Sequence, residues 1–395
     1  MCSAMEAFDV VILGAGAAGL MCAMTAGIRG RRVLLLDHAE RPGAKILISG
    51  GGRCNFTNLG AAPERFLSGN PDFCKSALSR YTQRDFIGLV ERHRIAYHEK
   101  TLGQLFCDGS ARQILAMLLT ECAAAGVDLR LGHKLVEVSR NDRFRVDTSR
   151  GSFIARTVVL ATGGLSIPKL GASEFAYETA RRFGLAVRAP RPGLVPLKVA
   201  GETLRLCQPL AGVSADALVS CGRQSFRENI LFTHRGLSGP AILQISSYWR
   251  EGDTLSIDLM PTLEAENFLR ERKRTRPKAE LKSVLGEVLP TRLAHALARD
   301  APQDMTMANL PDRILMATAA RLKRWQVRPS ESEGWTKAEV TVGGIDTAAL
   351  SSKTMEAREV PGLFIIGEAV DVTGWLGGYN FQWAWSSGWI AGQAV

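Results

Sequence analysis

The stretch that most constrains this chain is Phe8-Asp9-Val10-Val11-Ile12-Leu13-Gly14-Ala15-Gly16-Ala17-Ala18-Gly19. A short apolar run reads as a buried strand, feeds a G-x-G-x-x-G turn, and is followed by an Ala-rich helical segment from Leu20 to Ile28. In that setting Gly14 permits the tight turn, Gly16 lets the backbone approach a pyrophosphate, and Gly19 lets helix and strand pack closely. The helix N-terminus adds free N–H groups and positive dipole character. A second strand, Arg32 to Leu36, ends at Asp37, placed to hydrogen-bond an adenosine ribose. The glycines alone would fit an ordinary βα turn. Strand, helix and acid together predict a dinucleotide site in an α/β, Rossmann-like domain.

Bulk properties narrow the class. The 395 residues suffice for two or three domains, and 46% hydrophobic with 22% charged residues is globular composition. No apolar run approaches the roughly 18 residues of a membrane span. Asp9 interrupts the region a signal peptide would need apolar, so a cytoplasmic location is expected. The eight cysteines, at 2, 22, 54, 74, 107, 122, 207 and 221, form no C-x-x-C pair. With few, isolated histidines they signal neither a metal site nor a dithiol redox centre, and reduced thiols are expected. The net charge of +10 suits a polyanionic partner, although a basic enzyme surface would carry it as well.

Further along, Arg41 to Asn58 sets three successive glycines, Gly50 to Gly52, before Arg53, Cys54, Asn55, Thr57 and Asn58, and reads as a loop whose backbone nears a ligand. Residues 72–96 read as helix, His98 to Cys107 as strand and turn, and Ala111 to Ala125 as a helix stopped at Gly126. Strands are expected at 127–131, 134–138, 143–147 and 152–160, the last ending in Ala161-Thr162-Gly163-Gly164. A domain crossover falls near Arg188–Pro196, followed by short β segments such as 213–220 and 224–232. Thr233 to Pro240 reads either as a functional loop or as a tight turn with a helix N-cap at Ser238. Residues 262–325 read as charged helices, with Arg270 to Lys278 a basic run that is either a solvated face or a phosphate-contacting patch. After a β segment at 336–346, Val360 to Glu368 reads as a buried strand rejoining the first sheet. A Gly-rich approach, Gly374 to Gln382, then enters a Trp-rich helix, Trp383 to Gln393, whose tryptophans are expected in the core.

Gly14–Gly19, Lys45–Asn58, Thr233–Pro240 and Gly367–Gln382 resemble the corresponding segments of the BaiN/RdsA (YhiN-like) family of FAD-dependent oxidoreductases, over nearly the whole chain. The Gly-Gly-Gly-Arg-Cys-Asn and Gly-Gly-Tyr-Asn motifs are specific to it, and the likeness is greatest to its ribosomal RNA dihydrouridine synthase branch. The resemblance implies an FAD-binding Rossmann-like domain discontinuous in sequence (1–192 and 345–395), an inserted β-barrel (193–261 and 322–344) and a small helical subdomain (262–321). The cofactor-binding set expected on this basis is Gly14, Gly16, Ala18, Gly19, Asp37, Lys45, Ser49, Gly51, Gly52, Arg53, Cys54, Asn55, Thr57, Asn58, Val136, Ala161, Thr162, Gly163, Gly367, Glu368, Asp371, Gly377, Gly378, Tyr379, Asn380 and Gln382. Many family members carry Pro where this chain has Cys107.

The expected activity is reduction of a uridine of 23S rRNA to dihydrouridine, with FAD resident and NAD(P)H as a transient reductant, since no second G-x-G-x-x-G is present. The proton for C5 is assigned to Cys54, Cys107 or His234 without a choice among them. A rival is an amine or ketone oxidoreductase using oxygen; another is an FAD-dependent RNA-binding factor without catalysis.

Overall fold

Val10 to Leu13, Leu34 to Leu36 and Val158 to Leu160 have no exposed surface, the mark of parallel strands covered on both faces. The computed structural model describes residues 5–299, 301–302 and 305–395; Cys2 lies outside them. The chain divides into two compact units, Met1–Arg191 with Val340–Val395, and Pro192–Glu339.

In the first unit, β1 (Glu6–Leu13) leads through the glycine turn to α1 (Ala17–Ile28) and then β2 (Val33–Leu36), parallel to β1 with Leu13 opposite Leu36. On its other side β1 pairs with Gly151–Leu160, Leu13 opposite Leu160. That strand pairs in turn with Leu363–Ile365, Leu160 opposite Ile365. This register sets the carboxyl ends of four parallel strands side by side. The turns at Gly14, Asp37, Ala161 and Ile366 therefore meet at one sheet edge, where open α/β sheets bind ligands. The first half of Gly151–Leu160 pairs antiparallel with Phe144–Thr148, which pairs with Leu135–Arg140. That last pairing slips between Leu135 and Glu137, and Val136 is 62% exposed.

The terminal helix, Tyr379–Ala394, lies against α1 through small residues. A Cβ on Gly388 would meet the Ala18 carbonyl oxygen at 2.5 Å, and one on Gly392 would meet Thr25 Cβ at 2.6 Å. Trp383 and Trp385 are buried with their N–H groups satisfied by the Gly367 and Phe56 carbonyls, at 2.9 and 2.8 Å. Trp389, expected beside them in the core, is only partly buried and stacks on Tyr81.

Three local expectations change. The segment 41–58 is not a continuous loop: it forms α2 (Ala44–Ile48), a tight turn over Ser49–Gly52 and β3 (Asn55–Asn58), the last paired with Gln104–Cys107. The helix read over 72–96 is two helices, α3 (Lys75–Arg80) and α4 (Gln83–Arg92). They separate because Thr82 caps α4 reciprocally with Asp85. The last helix starts at Tyr379, four residues before Trp383, because Gly378 takes the left-handed conformation (φ +94) that turns the chain into it.

The second unit holds a seven-stranded antiparallel sheet in the order Trp325–Val327, Leu255–Asp258, Ser214–Cys221, Gln224–Phe232, Gly236–Ser238, Leu197–Lys198, Glu331–Ser332. Helices Ala265–Thr275, Leu281–Leu285, Thr291–Ala298 and Asp312–Lys323 belong to the same unit. The basic run is largely neutralised within it. Arg272 and Arg276 pair with Glu287, and Lys273 with Asp312. Among the described residues, no helix is long and apolar enough to cross a membrane.

Candidate dinucleotide site

Two of the fingerprint glycines are fixed by contact and one is open. Gly14 has φ +110, and a Cβ there would lie 2.4 Å from the Ala161 carbonyl oxygen. A Cβ on Gly19 would lie 1.9 Å from the Gly14 carbonyl oxygen. At Gly16, by contrast, a Cβ would meet no protein atom within 4 Å. The first turn of α1 has neither a capping side chain nor an acidic residue, so its N–H groups point outward beside Gly16 and Ala18. Thr162 carries a buried hydroxyl with no partner in the protein, and Gly163 (φ +77) is as open as Gly16. Unpaired N–H groups, an orphaned hydroxyl and glycine surfaces without Cβ atoms fit a diphosphate and its flanking groups.

Asp37 accepts the Ala15 N–H at 2.7 Å and the Ala39 N–H at 2.8 Å, one on each oxygen. It thereby fixes the glycine turn, and each carboxylate oxygen keeps a lone pair for a ribose hydroxyl. Val136 offers backbone only, since its side chain faces out at the slipped pairing.

Beside the turn, Lys45 Nζ donates to Glu368 at 2.5 Å and to Ser166 Oγ at 2.7 Å. Glu368 also accepts from Ser166 Oγ at 2.8 Å and the Thr341 N–H at 2.9 Å. Burial alone would raise the Glu368 pKa. The Lys45 ammonium and the donated hydrogen bonds outweigh it and hold the carboxyl below its usual range. Ser166 and Thr341 were not among the expected site residues. Ser166 follows the Ala161–Gly164 turn by two positions, a spacing the sequence does display. Asp371 lies apart from this cluster: it accepts the Gly69 N–H at 2.8 Å and pairs with Arg188 at 3.3 Å, while burial pushes its pKa up.

Several polar motif residues expected to touch cofactor are instead spent on one another. Thr57 donates to Gln382 Oε1 at 2.6 Å, and Gln382 Nε2 donates to Tyr81 O and Ser386 Oγ, which saturates a fully buried amide. Asn58 donates to Leu102 O and Gly377 O and accepts from Gly60 N–H. Asn380 accepts from Gly374 N–H and donates to the Gly374 and Trp375 carbonyls. Asn55 hydrogen-bonds the Gln104 amide at 3.0 Å, and Tyr379 packs edge-on against Phe66. These side chains lock β3 to the start of the terminal helix. Gly378 is needed for the same reason, since a Cβ there would meet Thr57 O at 2.4 Å, and a Cβ on Gly377 would meet Gln104. What this region offers a ligand is backbone: Gly51 and Gly52 (φ +66 and +85), free of close neighbours, with Gly367 (φ +66) across from Ala18.

The three candidate proton donors differ sharply. Cys54 (φ +51) and Cys107 have no exposed surface, and burial pushes their thiols up to about 12 and about 11. The Cys54 N–H donates to the Ser49 carbonyl at 3.0 Å, and the Arg53 carbonyl accepts the Cys107 N–H at 2.9 Å. Arg53 itself is exposed. His234 belongs to the second unit, exposed at a tight turn in which Thr233 Oγ1 accepts the Arg235 and Gly236 N–H groups. The helix after that turn is capped by Gly239 rather than Ser238.

The chain matches the HI0933-like protein Rossmann domain over residues 8–394. It is 53% identical to the Escherichia coli (strain K12) protein named ribosomal RNA dihydrouridine synthase, covering 98% of each chain. To the protein of that name in Haemophilus influenzae it is 45% identical, again over 98% of each. Among solved structures, 3-ketosteroid-delta4-(5alpha)-dehydrogenase from Rhodococcus jostii RHA1 shares the fold with a TM-score of 0.50 at 15% identity, covering 98% of this chain and 97% of that one.

Proposed function

This chain belongs to the HI0933-like Rossmann family, and on that premise we propose that it is an FAD-dependent oxidoreductase that reduces a uridine of 23S rRNA to dihydrouridine with NAD(P)H, in the cytoplasm. The observation that carries this reading is the full-length likeness to two proteins named ribosomal RNA dihydrouridine synthase. The cradle at Gly16, Thr162 and Gly163 supports the cofactor part of it. Bound FAD would supply the two-electron chemistry, which no side chain here can provide.

The chain's own residues bind and orient. The α1 N-terminus and Gly16 would take the diphosphate, and Asp37 the adenosine ribose. The Lys45–Glu368–Ser166 cluster fixes the strand end that follows Ile365. Gly51 and Gly52 would let backbone approach the ring system, and the N-terminus of the terminal helix would add positive dipole character. Saturation of a uracil 5,6 double bond takes a hydride at C6, drawn from NAD(P)H, and a proton at C5. Cys54 and Cys107 are fully buried, and burial raises their thiol pKa values well above the neutral range in which a general acid works best.

Deletion of the gene followed by nuclease digestion and mass spectrometry of the 23S rRNA tests the reading. Loss of one dihydrouridine, restored by the wild-type gene, is expected; an unchanged dihydrouridine content refutes it.

A further inference from the structure

The hairpin formed by Tyr97–Glu99 and Gln104–Cys107 carries at its tip a side chain that the fold does not use. Leu102 is 67% exposed and has φ +53, a left-handed conformation that suits Gly or Asn and burdens a branched side chain. Leu59, 46% exposed, adjoins it through the bond from its N–H to the Gly103 carbonyl at 2.8 Å. A leucine placed this way packs no core, and backbone strain of this kind concentrates at functional positions.

The tip is firmly held all the same. Gly103 N–H donates to Glu99 Oε1 at 3.0 Å, and Gln104 N–H to Thr101 O at 3.0 Å. Asn58 Nδ2 donates at once to Leu102 O at 3.1 Å and to Gly377 O at 2.8 Å. One buried amide thus ties the apolar tip to the turn that begins the terminal helix. Two exposed cations lie nearby in the chain: Lys100, two residues earlier with its ammonium 5.5 Å from the Phe106 ring centre, and Arg84, next to the Gln83 whose amide donates to Leu59 O at 2.9 Å.

We infer that Leu102 is an apolar wedge that enters the base stack when the target uridine turns out of its RNA helix; this rests on the rRNA reading above. A base that is to be modified must leave its stack. Apolar side chains inserted between base steps hold such a stack open, and neighbouring cations hold the flanking phosphates. Leu102 has the exposure, the rigidity and the nearby cations for that task.

The test uses Leu102→Asn, because Asn tolerates the left-handed backbone and keeps the turn folded. The substrate is the 23S rRNA hairpin carrying the uridine mapped by the deletion experiment, with 2-aminopurine next to that uridine. The wild-type holoprotein is expected to brighten the 2-aminopurine on binding, and Leu102→Asn to bind without brightening it. Dihydrouridine formation should fall roughly tenfold or more in the hairpin and less than about twofold in an unstructured oligonucleotide of the same sequence. Equal brightening by both proteins, or an equal loss on both RNAs, overturns the wedge. A change in sedimentation of Leu102→Asn without RNA assigns the patch to a second copy of the chain and overturns it too. If wild-type brightening is lost in Leu102→Asn while neither RNA is ever reduced, the wedge stands and the reductase reading fails.

Discussion

Replacing Lys45 by Met isolates the cluster beside the glycine turn. In the wild-type chain Glu368 is largely buried, with the Lys45 ammonium 2.5 Å away and neutral donors from Ser166 and Thr341. Removing one partner of a buried pair costs about 3–5 kcal/mol when both are fully buried. The Lys45 side chain is 35% exposed, so solvent screening reduces the expected cost to about 1–3 kcal/mol at neutral pH. The pH dependence follows from the two directions. With Lys45 present, the folded-state pKa of Glu368 is below its unfolded value of about 4.3, so its stabilisation is complete above that value and is lost as pH falls through the folded one. Without Lys45, burial dominates and the folded pKa lies above the unfolded one. Glu368 then carries a penalty that is full at neutral pH and fades as pH falls toward about 4. Urea denaturation of the FAD-free chain, followed by far-ultraviolet circular dichroism, should therefore show a gap between wild type and Lys45→Met that narrows by half or more between neutral pH and about pH 4. Lys45→Met combined with Glu368→Gln should recover most of the loss. A gap that is the same at both pH values would refute the electrostatic account and leave only lost packing.

Other expectations are as direct. Gly19→Ala drives a methyl group into the Gly14 carbonyl and should destabilise by about 1–3 kcal/mol or more in urea titrations. Gly16→Ala should leave stability within about 0.5 kcal/mol while weakening FAD retention on gel filtration. Iodoacetamide at mildly alkaline pH should label partly exposed Cys221 in the native chain and reach Cys54 and Cys107 only after unfolding, as peptide mapping would report. Arg274 and Lys278 enter no ion pair among the described residues, so changing both to Gln should lower the salt dependence of rRNA binding by about one to two ions. Arg276→Gln, which breaks a pair with Glu287, should change that slope less.

The strand–turn–helix core was legible because its signals are local. The continuous apolar runs at Val10–Leu13 and Val158–Leu160 announce buried strands, and the G-x-G-x-x-G spacing announces a close backbone approach. The break between α3 and α4 was equally local: Thr82-Gln83-Arg84-Asp85 is a capping pattern, overridden by the apolar periodicity on either side of it. What the sequence could not display is the fate of the Asn, Thr and Gln side chains. Thr57 finds Gln382 across 325 positions and Asn58 finds Gly377 across 319, so residues that look like ligand contacts are consumed in tertiary hydrogen bonds. The same holds for the basic run, whose Arg272 and Arg276 meet Glu287 only once the helices pack.

The central claim, that this chain reduces a uridine of 23S rRNA through bound FAD, is tested most directly by anaerobic reconstitution. The purified holoprotein is reduced with NAD(P)H and freed of excess nucleotide. It is then mixed with 23S rRNA from the deletion strain, with flavin absorbance and dihydrouridine content followed together. Reoxidation of the flavin in step with dihydrouridine formation, one per flavin, is the predicted result. Flavin that stays reduced with this RNA and reoxidises only when oxygen is admitted would contradict the claim.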